Sequence, residues 1–466
     1  MDTEFKLSPH PEHKEFAQTY RMYKHLYLGG DVLRKHAGEY LYRRLREPQE
    51  VYEERLSRVF YENYVGSIID WYSSTLFRRE PIVTYEEGRD RGRKFFASFL
   101  DDCDRKGTAF GDFLRQQLTS ALIYGRSYVL VDFPKQCGKP ANQAEEDALG
   151  FSHAYMAPFN PEQLVNWAYD EVGRYEWVVL KQERLVVKSD PKAHWIKETR
   201  WHYYDKRQYK TYRAYDTESP QLTDEGTHGF AALNQVPLFE LRLPEGLWLM
   251  NKSALLQLEH FNKSNAQAWA LAMGLFAMPV IYSDREWQQV VGESYYLKLG
   301  ADDKFGWTEP NGHVYEIAAE NLKRLKEEIY RVCYLLSQAG GPQNFGQSGL
   351  SKQRDFTVTQ EVLRGYGDSV KDFSKRILRA INLARGDELV LNVSGLDEFD
   401  IGDFSNEIDD AKKLLSFEIA SDTLRRQIYK RLTHKYLCDV RQDIKDSISS
   451  EINQWLDDER GQTENE

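Results

Sequence analysis

The amino-acid sequence predicts an α+β protein, and two observations support this prediction. Residues 155–243 are rich in β-branched and aromatic side chains separated by turn-forming clusters, which is typical of strands. Apolar residues before and after this stretch recur three and four positions apart, which is typical of helices. At 466 residues the chain is long for a single hydrophobic core, so about two to four domains or subdomains are expected.

The N-terminal half is predicted to combine helices with an antiparallel sheet. One helix is expected over residues 59–77, where Arg78, Arg79 and Pro81 form a stop signal. A second helix is expected over residues 110–124, ending at Gly125, and a buried strand follows at residues 127–133. The sheet would come next, with strands at residues 176–187, 194–204 and 208–215.

The second half is predicted to contain two long helices on either side of a small insert. The first covers residues 253–276 and ends before Pro279, and the second covers residues 318–337. Helices of this size are roughly 30–36 Å long at a rise of 1.5 Å per residue. The insert, residues 279–317, is expected to hold a short helix capped by Ser283 or Asp284 and strands at residues 279–282, 295–299 and 313–317. Together these elements describe a stalk with a tip.

Residues 338–354 form a glycine-rich connection after the second long helix. They contain four glycines, four glutamines and no carboxylate, although the whole chain has a net charge of -11. A connection this long without apolar periodicity is usually functional or disordered. Its composition would suit a loop that faces a polyanion, and it would equally suit a solvated linker.

A further long helix is expected over residues 357–384. Its apolar spacing is interrupted only by Gly365 and Gly367, which predict a weakened and kinked point. A short strand is expected at residues 389–393. Residues 396–410 carry seven carboxylates and no basic group, and the rest of the chain reads as two or three helices with an acidic tail.

The sequence offers no recognisable catalytic, metal or cofactor site. The motifs GxGxxG, GxxxxGK[ST], GxSxG and HExxH are absent, and the four cysteines are far apart in the sequence. The N-terminus does not resemble a signal peptide, and no apolar run approaches the roughly 20 residues that span a bilayer. No base-reading module is present, so any contact with DNA is expected to be independent of its sequence. A basic strip on the last long helix is interpreted as a solvated or subunit-contacting face; it consists of Lys371, Lys375, Arg376 and Arg379.

The order of these parts resembles the portal proteins of tailed bacteriophages. The resemblance covers most of residues 10–400 and depends on the order of short matches, each of which is weak alone. In chain order they are His10-Pro11-Glu12, Gly29-Gly30, Gly38-Glu39-Tyr40-Leu41, the run Arg58 to Asn63, the run Leu76 to Pro81, Tyr124-Gly125-Arg126-Ser127, Asn160-Pro161-Glu162, Asn166-Trp167 and the run Leu255 to Asn262.

The resemblance implies a ring, commonly of twelve copies, at one vertex of a capsid, through which double-stranded DNA is packaged and ejected. The implied partners are the large subunit of the terminase, a head-to-tail adaptor, and the major capsid and scaffolding proteins, with assembly in the host cytoplasm and a final location in the virion. The implied regions are a wing (1–250), a first stem helix (251–278), a clip (279–317), a second stem helix (318–337), a tunnel loop (338–356), a kinked channel helix with a returning wing strand (357–404), and a crown with the acidic tail (405–466).

The resemblance also nominates site residues. In the tunnel loop, side chains would meet DNA weakly, since amides bind phosphate oxygens without adding charge; the residues are Gln343, Asn344, Gln347, Lys352, Gln353 and Arg354. The kink would lie at Gly365 and Gly367. Clip contacts with partner proteins would come from Trp287, Tyr295, Tyr296 and Trp307. The alternatives are a ring or capsid-associated scaffold that conducts no DNA and, third, an α+β enzyme with an unrecognised site.

Overall fold

The computed structural model describes residues 3–86, 90–134, 145, 153–188, 193–274, 278–282, 304–308, 312–335, 349–396, 411–413, 416, 421–436, 444, 447–448 and 450–455. Within them the protein is a mixture of helices and antiparallel sheets, which confirms the α+β prediction.

The helices and strands are as follows. The helices are α1 (Thr3–Leu7), α2 (Pro11–Leu28), α3 (Gly30–Lys35), α4 (Ala37–Tyr40), α5 (Gln49–Ser57), α6 (Tyr64–Leu76), α7 (Asp90–Asp101), α8 (Phe110–Tyr124), α9 (Leu249–Gly274), α10 (Gly312–Val332), α11 (Gly349–Arg385) and α12 (Asp422–Tyr436). The strands are β1 (Ile82–Glu86), β2 (Arg126–Asp132), β3 (Tyr155–Phe159), β4 (Leu164–Tyr169), β5 (Tyr175–Lys188), β6 (His194–Asp205), β7 (Gln208–Tyr215), β8 (Gln221–Thr227), β9 (Leu238–Arg242), β10 (Met278–Tyr282), β11 (Lys304–Thr308) and β12 (Val390–Ser394).

Two sheets face each other in the N-terminal half. One has five strands in the order β4-β5-β6-β7-β8, and the other has three in the order β3-β2-β9. Their facing side chains form a buried apolar cluster that includes Val178, Leu180 and Tyr204 from the larger sheet and Tyr128 and Leu238 from the smaller. The three strands predicted for the larger sheet are therefore confirmed as β5, β6 and β7.

The step from α8 into β2 shows how a single glycine directs the chain. Gly125 ends α8 in the left-handed region, with φ +79°, and its N–H donates to the Ala121 carbonyl at 2.7 Å. A Cβ at Gly125 would lie 2.8 Å from the Trp248 ring, so a larger residue would displace that indole. Because Trp248 directly precedes α9 and donates its Nε1–H to the Ile123 carbonyl at 2.9 Å, this turn also fixes where α9 begins.

Helices α9 and α10 run antiparallel and are joined through the β10–β11 pair. Their contacts fall in reverse order along the chain: Lys252 with Tyr334, Lys263 with Asn321, and Ala270 with Tyr315. Beyond them, β10 and β11 form a two-stranded antiparallel sheet from Met278↔Thr308 to Tyr282↔Lys304. The predicted order of helix, insert and helix is therefore present.

One predicted strand in this region was wrong, and one strand was missed. The strand expected at residues 313–317 is instead the first part of α10, because Tyr315 continues the three-and-four spacing of Ala318, Leu322 and Leu325 into the helix. The strand β11 was not predicted, since its short sequence KFGWT contains a central glycine and lacks clear alternation. The strand prediction at 279–282 is confirmed by β10, and that at 295–299 lies outside the described residues.

The helix expected over residues 59–77 begins later, at Tyr64. Asn63 caps it, with its Oδ1 accepting the Gly66 N–H at 2.9 Å, so residues 59–63 precede the helix. Helix α11, in contrast, begins earlier than predicted. It starts at Gly349, whereas the sequence placed its start at residue 357. The sequence placed Gly349 in a loop. The six residues after it are nevertheless compatible with a helix, and they form the first turns of α11.

Candidate functional site: a helical stalk clamped to an α+β body

The central feature is the stalk, defined as α9, β10, β11 and α10, and its attachment to the body, defined as residues 3–248. Three amide side chains on α9 each bond a backbone N–H and a backbone C=O of the body. The pairs are Gln257 with Val65 N–H (3.3 Å) and Glu62 C=O (2.8 Å), Asn262 with Tyr42 N–H (2.7 Å) and Tyr40 C=O (3.0 Å), and Asn265 with Phe60 N–H (3.1 Å) and Phe60 C=O (2.9 Å). We call these three residues the amide clamps.

The amide clamps replace hydrogen bonds that regular structure does not supply. The segments around residues 40–42 and 59–63 lie between helices, so their backbone groups need partners from elsewhere. A carboxamide has both a donor and an acceptor, which allows one side chain to serve both groups. Since Gln257, Asn262 and Asn265 are 0 %, 7 % and 9 % exposed, losing one would leave buried polar groups unpaired.

His260 adds a titratable group to the same junction. Its side chain is 3 % exposed, its Nε2 lies 3.4 Å from a Glu62 carboxylate oxygen, and its ring meets the Tyr64 ring edge-on at 5.0 Å. The Lys326 ammonium of α10 lies 5.4 Å from the centre of the same Tyr64 ring. Burial lowers the pKa of His260, and the opposing influence of Glu62 does not reverse this, so the ring is neutral at neutral pH.

The base of the stalk is held on a second side by α6 and α11. The Tyr72 hydroxyl donates to the Cys333 carbonyl at 2.7 Å, and the Thr359 hydroxyl donates to the Tyr334 carbonyl at 2.6 Å. Tyr334 takes a left-handed φ of +61°, and Leu335 N–H returns to the Tyr330 carbonyl at 2.9 Å, which closes the end of α10. The stalk is thus fixed at both of its chain ends.

Gly365 and Gly367 lie inside α11, which is helical without interruption from Gly349 to Arg385. A Cβ at Gly367 would lie 2.2 Å from the backbone oxygen of Leu396, whereas one at Gly365 would meet only the Leu247 Cδ1 at 3.0 Å. Close approach to the chain after β12 therefore explains Gly367 without a kink. The kink itself stays a prediction.

The basic strip of α11 is partly engaged within the subunit. Lys371 pairs with Asp368 at 2.9 Å, and the Arg376 guanidinium donates to the Glu240 carbonyl of β9 at 2.7 Å. Arg376 therefore ties the helix to the smaller sheet, a role that its charge alone did not indicate.

The predicted tunnel-loop and clip residues fall into two groups. Six lie outside the described residues: Gln343, Asn344, Gln347, Trp287, Tyr295 and Tyr296. The others have a described backbone. Trp307 lies in β11 opposite Pro279, while Lys352, Gln353 and Arg354 lie in the first two turns of α11. The placement of these last three in a loop was wrong, because the helix begins before them.

The tip of the stalk carries exposed apolar side chains. Leu271 of α9 and Val314 and Ile317 of α10 are 38 %, 63 % and 55 % exposed. Because α9 and α10 are antiparallel, these residues belong to the same end of the stalk. Exposed apolar surface of this kind marks contact sites in many proteins.

The part of the chain that the structure describes holds neither a metal cluster nor a membrane span. No group of three or more His, Cys, Asp or Glu side chains in these residues is placed to hold a metal ion. Among the same residues, every helix is too short or too polar to cross a membrane.

Comparisons with known proteins give only distant similarities. No protein-family model and no curated protein matches the sequence. Among solved structures, the neck of an empty gene transfer agent particle with C6 symmetry matches at 13% identity, over 78% of this chain and 90% of that chain, with a TM-score of 0.42. The virion of the native particle matches at 12% identity, over 84% and 96%, with a TM-score of 0.40. The neck of the native particle with C12 symmetry matches at 11% identity, over 78% and 90%, with a TM-score of 0.40.

Proposed function

We propose that this protein is the subunit of a portal-type connector, in which copies of the chain form a ring around an axial channel for double-stranded DNA. The observation that carries the proposal is the stalk: two antiparallel helices, joined through a small two-stranded sheet and clamped at their base to an α+β body. The order of short sequence matches to portal proteins supports the same function.

The dimensions and surface of the stalk suit a channel wall. Helices of 26 and 21 residues are about 39 and 32 Å long at 1.5 Å per residue. Side chains of the body and of α11 fix the base, so the direction of the stalk is set by folding rather than by assembly. The apolar tip residues Leu271, Val314 and Ile317 would be covered by the stalks of neighbouring copies.

The negative net charge of the chain indicates that DNA would slide through the channel rather than bind tightly to it. Each contact between a phosphate and a basic side chain adds salt-dependent affinity, and a chain of net charge -11 limits such contacts. Residues 338–348, which have no carboxylate, are the exception and would form the narrowest, DNA-facing part of the channel. In this arrangement Lys352 and Arg354, at the start of α11, would lie next to that constriction.

The remaining partners follow from the position of each part in such a ring. The tip, with β10, β11 and Trp307, would meet the terminase during packaging and the head-to-tail adaptor afterwards. The body would meet capsid and scaffolding proteins. No catalytic role is proposed for any residue.

Electron microscopy and mass measurement of the purified full-length protein test the proposal. We expect a ring of about twelve subunits with a central hole, as for closed rings built from identical contacts. A stable monomer or dimer would overturn the proposal and favour an enzyme. A closed particle without a hole would favour a scaffold that conducts no DNA.

A further inference from the structure

The β5–β6 ribbon extends beyond the sheet that contains it. On one side the pairing of β4 with β5 ends at Leu164↔Leu180, and on the other side the pairing of β7 with β6 ends at Glu198↔Tyr215. Strands β5 and β6 nevertheless remain paired with each other as far as Lys188↔His194. We call residues 182–188 and 194–197 the arm. No described strand pairs with the outer edges of the arm, although the Lys197 N–H and C=O both bond Asp216, the residue after β7.

One face of the arm is apolar and open to solvent. Leu185, Val187 and Trp195 are 67 %, 53 % and 69 % exposed, and they share this face because Val187 lies opposite Trp195 while Leu185 lies opposite Lys197. Where β5 and β6 are flanked by other strands, the same face is covered, since Trp177 and Tyr203 are buried there. A solvent-facing strand normally carries polar residues on its open face, so this pattern indicates a surface that is covered in an assembly.

Ion pairs join side chains of the two strands in the arm and at its base. On the apolar face, Glu183 pairs with Lys181 and Lys197, both at 2.7 Å. On the opposite face the Glu198 carboxylate, whose side chain is 2 % exposed, pairs with three guanidinium groups, those of Arg184, Arg200 and Arg213. A pre-ordered arm loses little conformational entropy on docking, which favours binding.

The arm and its base are basic, in contrast to the chain as a whole. Residues 182–188 and 194–200 together with Arg213 carry five basic and two acidic side chains, namely Arg184, Lys188, Lys197, Arg200 and Arg213 against Glu183 and Glu198. The net charge of the whole chain is -11, so the rest of the molecule is strongly acidic. Complementary charge of this kind guides encounter and selects the partner.

We infer that the arm docks, through Leu185, Val187 and Trp195, onto a second copy of this chain, whose residues outside the arm are acidic overall. The contact joins two different surfaces, so each copy would both donate an arm and receive one, and such head-to-tail contacts generate rings when the rotation closes. Trp195 would supply the anchor, as buried aromatic residues do in many interfaces. The inference draws on the proposed function only in assuming that copies of the chain meet in a ring.

Cross-linking between labelled and unlabelled chains tests the docking directly. Full-length protein grown in ¹⁵N medium and full-length protein of natural isotope content are mixed, dissociated, reassembled and treated with a zero-length carboxyl–amine cross-linker. We expect the arm peptide that contains Lys197 to appear in linked peptides of mixed label, joined to carboxylates of the other copy. Arm peptides linked only within chains of the same label would overturn the inference.

Substitution of the apolar face tests its energetic role. The triple variant Leu185→Ser, Val187→Ser and Trp195→Ser is expected to raise the protein concentration at which half of the oligomer dissociates by about tenfold or more. The matched control is Val172→Ser, which removes another exposed apolar residue, 78 % exposed, from the turn between β4 and β5. Circular dichroism of the variants confirms that each is folded.

The outcomes separate this inference from the proposed function. If the triple variant forms the same oligomer at the same concentration as the control, the docking is refuted while a channelled ring remains. If that variant forms normal rings that fail to enter capsids, the arm binds a different protein and the inference is also refuted. If the wild-type oligomer has no central hole but depends on the arm, the docking stands and the channel function fails.

Discussion

At the scale of single residues, Gly367 shows how a short side chain lets two segments touch. We predict that Gly367→Ala lowers the free energy of unfolding by about 1–3 kcal/mol, because the new Cβ would lie 2.2 Å from the Leu396 carbonyl oxygen and must force the two segments apart. Chemical denaturation of the purified variant measures the change.

Gly365→Ala is the matched control on the same helix. Its Cβ would meet only the tip of the Leu247 side chain at 3.0 Å, which can move, and alanine favours helix over glycine by about 1 kcal/mol. We therefore expect Gly365→Ala to be neutral or stabilising. Equal losses from both substitutions would show that close approach at Leu396 does not explain Gly367.

His260 gives the junction between stalk and body a pH dependence. Burial holds the pKa of His260 below its usual 6.5, so below about pH 6.5 the unfolded chain binds a proton that the folded chain does not. The stability contributed by the neutral ring is complete above that pH and is lost as the pH falls towards the folded-state pKa. We predict that His260→Phe, which keeps a ring against Tyr64, reduces the loss of stability between pH 7 and pH 5.

Denaturation curves at both pH values measure this effect, which is at most about 1.4 kcal/mol per pH unit for one group. His313→Phe is the control, since the His313 side chain is 72 % exposed. If the two variants show the same pH dependence as the wild type, His260 does not titrate in the way its burial implies.

At the scale of elements, the amide clamps connect a helix to segments between helices and to the ends of the neighbouring helices α4 and α6. The Gln257 side chain of α9 caps the N-terminus of α6. The Val65 N–H is one of the first N–H groups of α6, and these groups have no carbonyl partner within their own helix. We predict that Gln257→Leu lowers the free energy of unfolding by about 2–3 kcal/mol, because it leaves the Val65 N–H and the Glu62 carbonyl unpaired.

Gln267→Leu on the same helix is the control. Gln267 is only half-buried, and its amide donates to the Tyr315 carbonyl at 3.5 Å, which is long for a hydrogen bond. Thermal unfolding compares the two variants. A loss from Gln257→Leu no larger than that from the control would show that the clamp contributes little to stability.

Local patterns predicted elements well where the decisive information lies within one segment. Helix α8 was predicted with its observed bounds, and β5, β6 and β7 nearly so, because spacing, Gly125 and the turn clusters are all local signals. The amide clamps were missed because their partners lie about 190–220 residues away in the sequence. Asn262 and Asn265 follow Leu258 and Phe261 by four residues, which places them on the buried face of α9, but spacing alone does not reveal which groups a buried amide bonds. The pairing of β1 with β12 was missed for the same reason.

At the scale of the whole molecule, the basic residues at the start of α11 test the channel function. We predict that Lys352→Ala with Arg354→Ala leaves the mass of the ring unchanged but impairs DNA packaging or retention, because these cations would meet phosphates at the constriction. The measurement is the length of DNA recovered from particles assembled with the variant.

The control is Lys375→Ala with Arg379→Ala, which removes the same charge from a later part of α11. DNA of wild-type length in the Lys352 and Arg354 variant would contradict the proposed role. This prediction depends on the resemblance to portal proteins for its location, since composition alone also suited a solvated linker.

The pairing of β1 with β12 has a consequence for biosynthesis. Ile82 pairs with Ser394, which is 312 residues later, so β1 is without this partner until nearly all of the chain has been made. At about 5–20 residues per second, translation of that interval takes roughly 15–60 s. A truncated chain that stops before Val390 can never form this sheet or place Leu396 against Gly367. The β1–β12 sheet can therefore form only in a chain that has been made at least as far as β12, which makes this sheet a structural marker of a nearly complete chain.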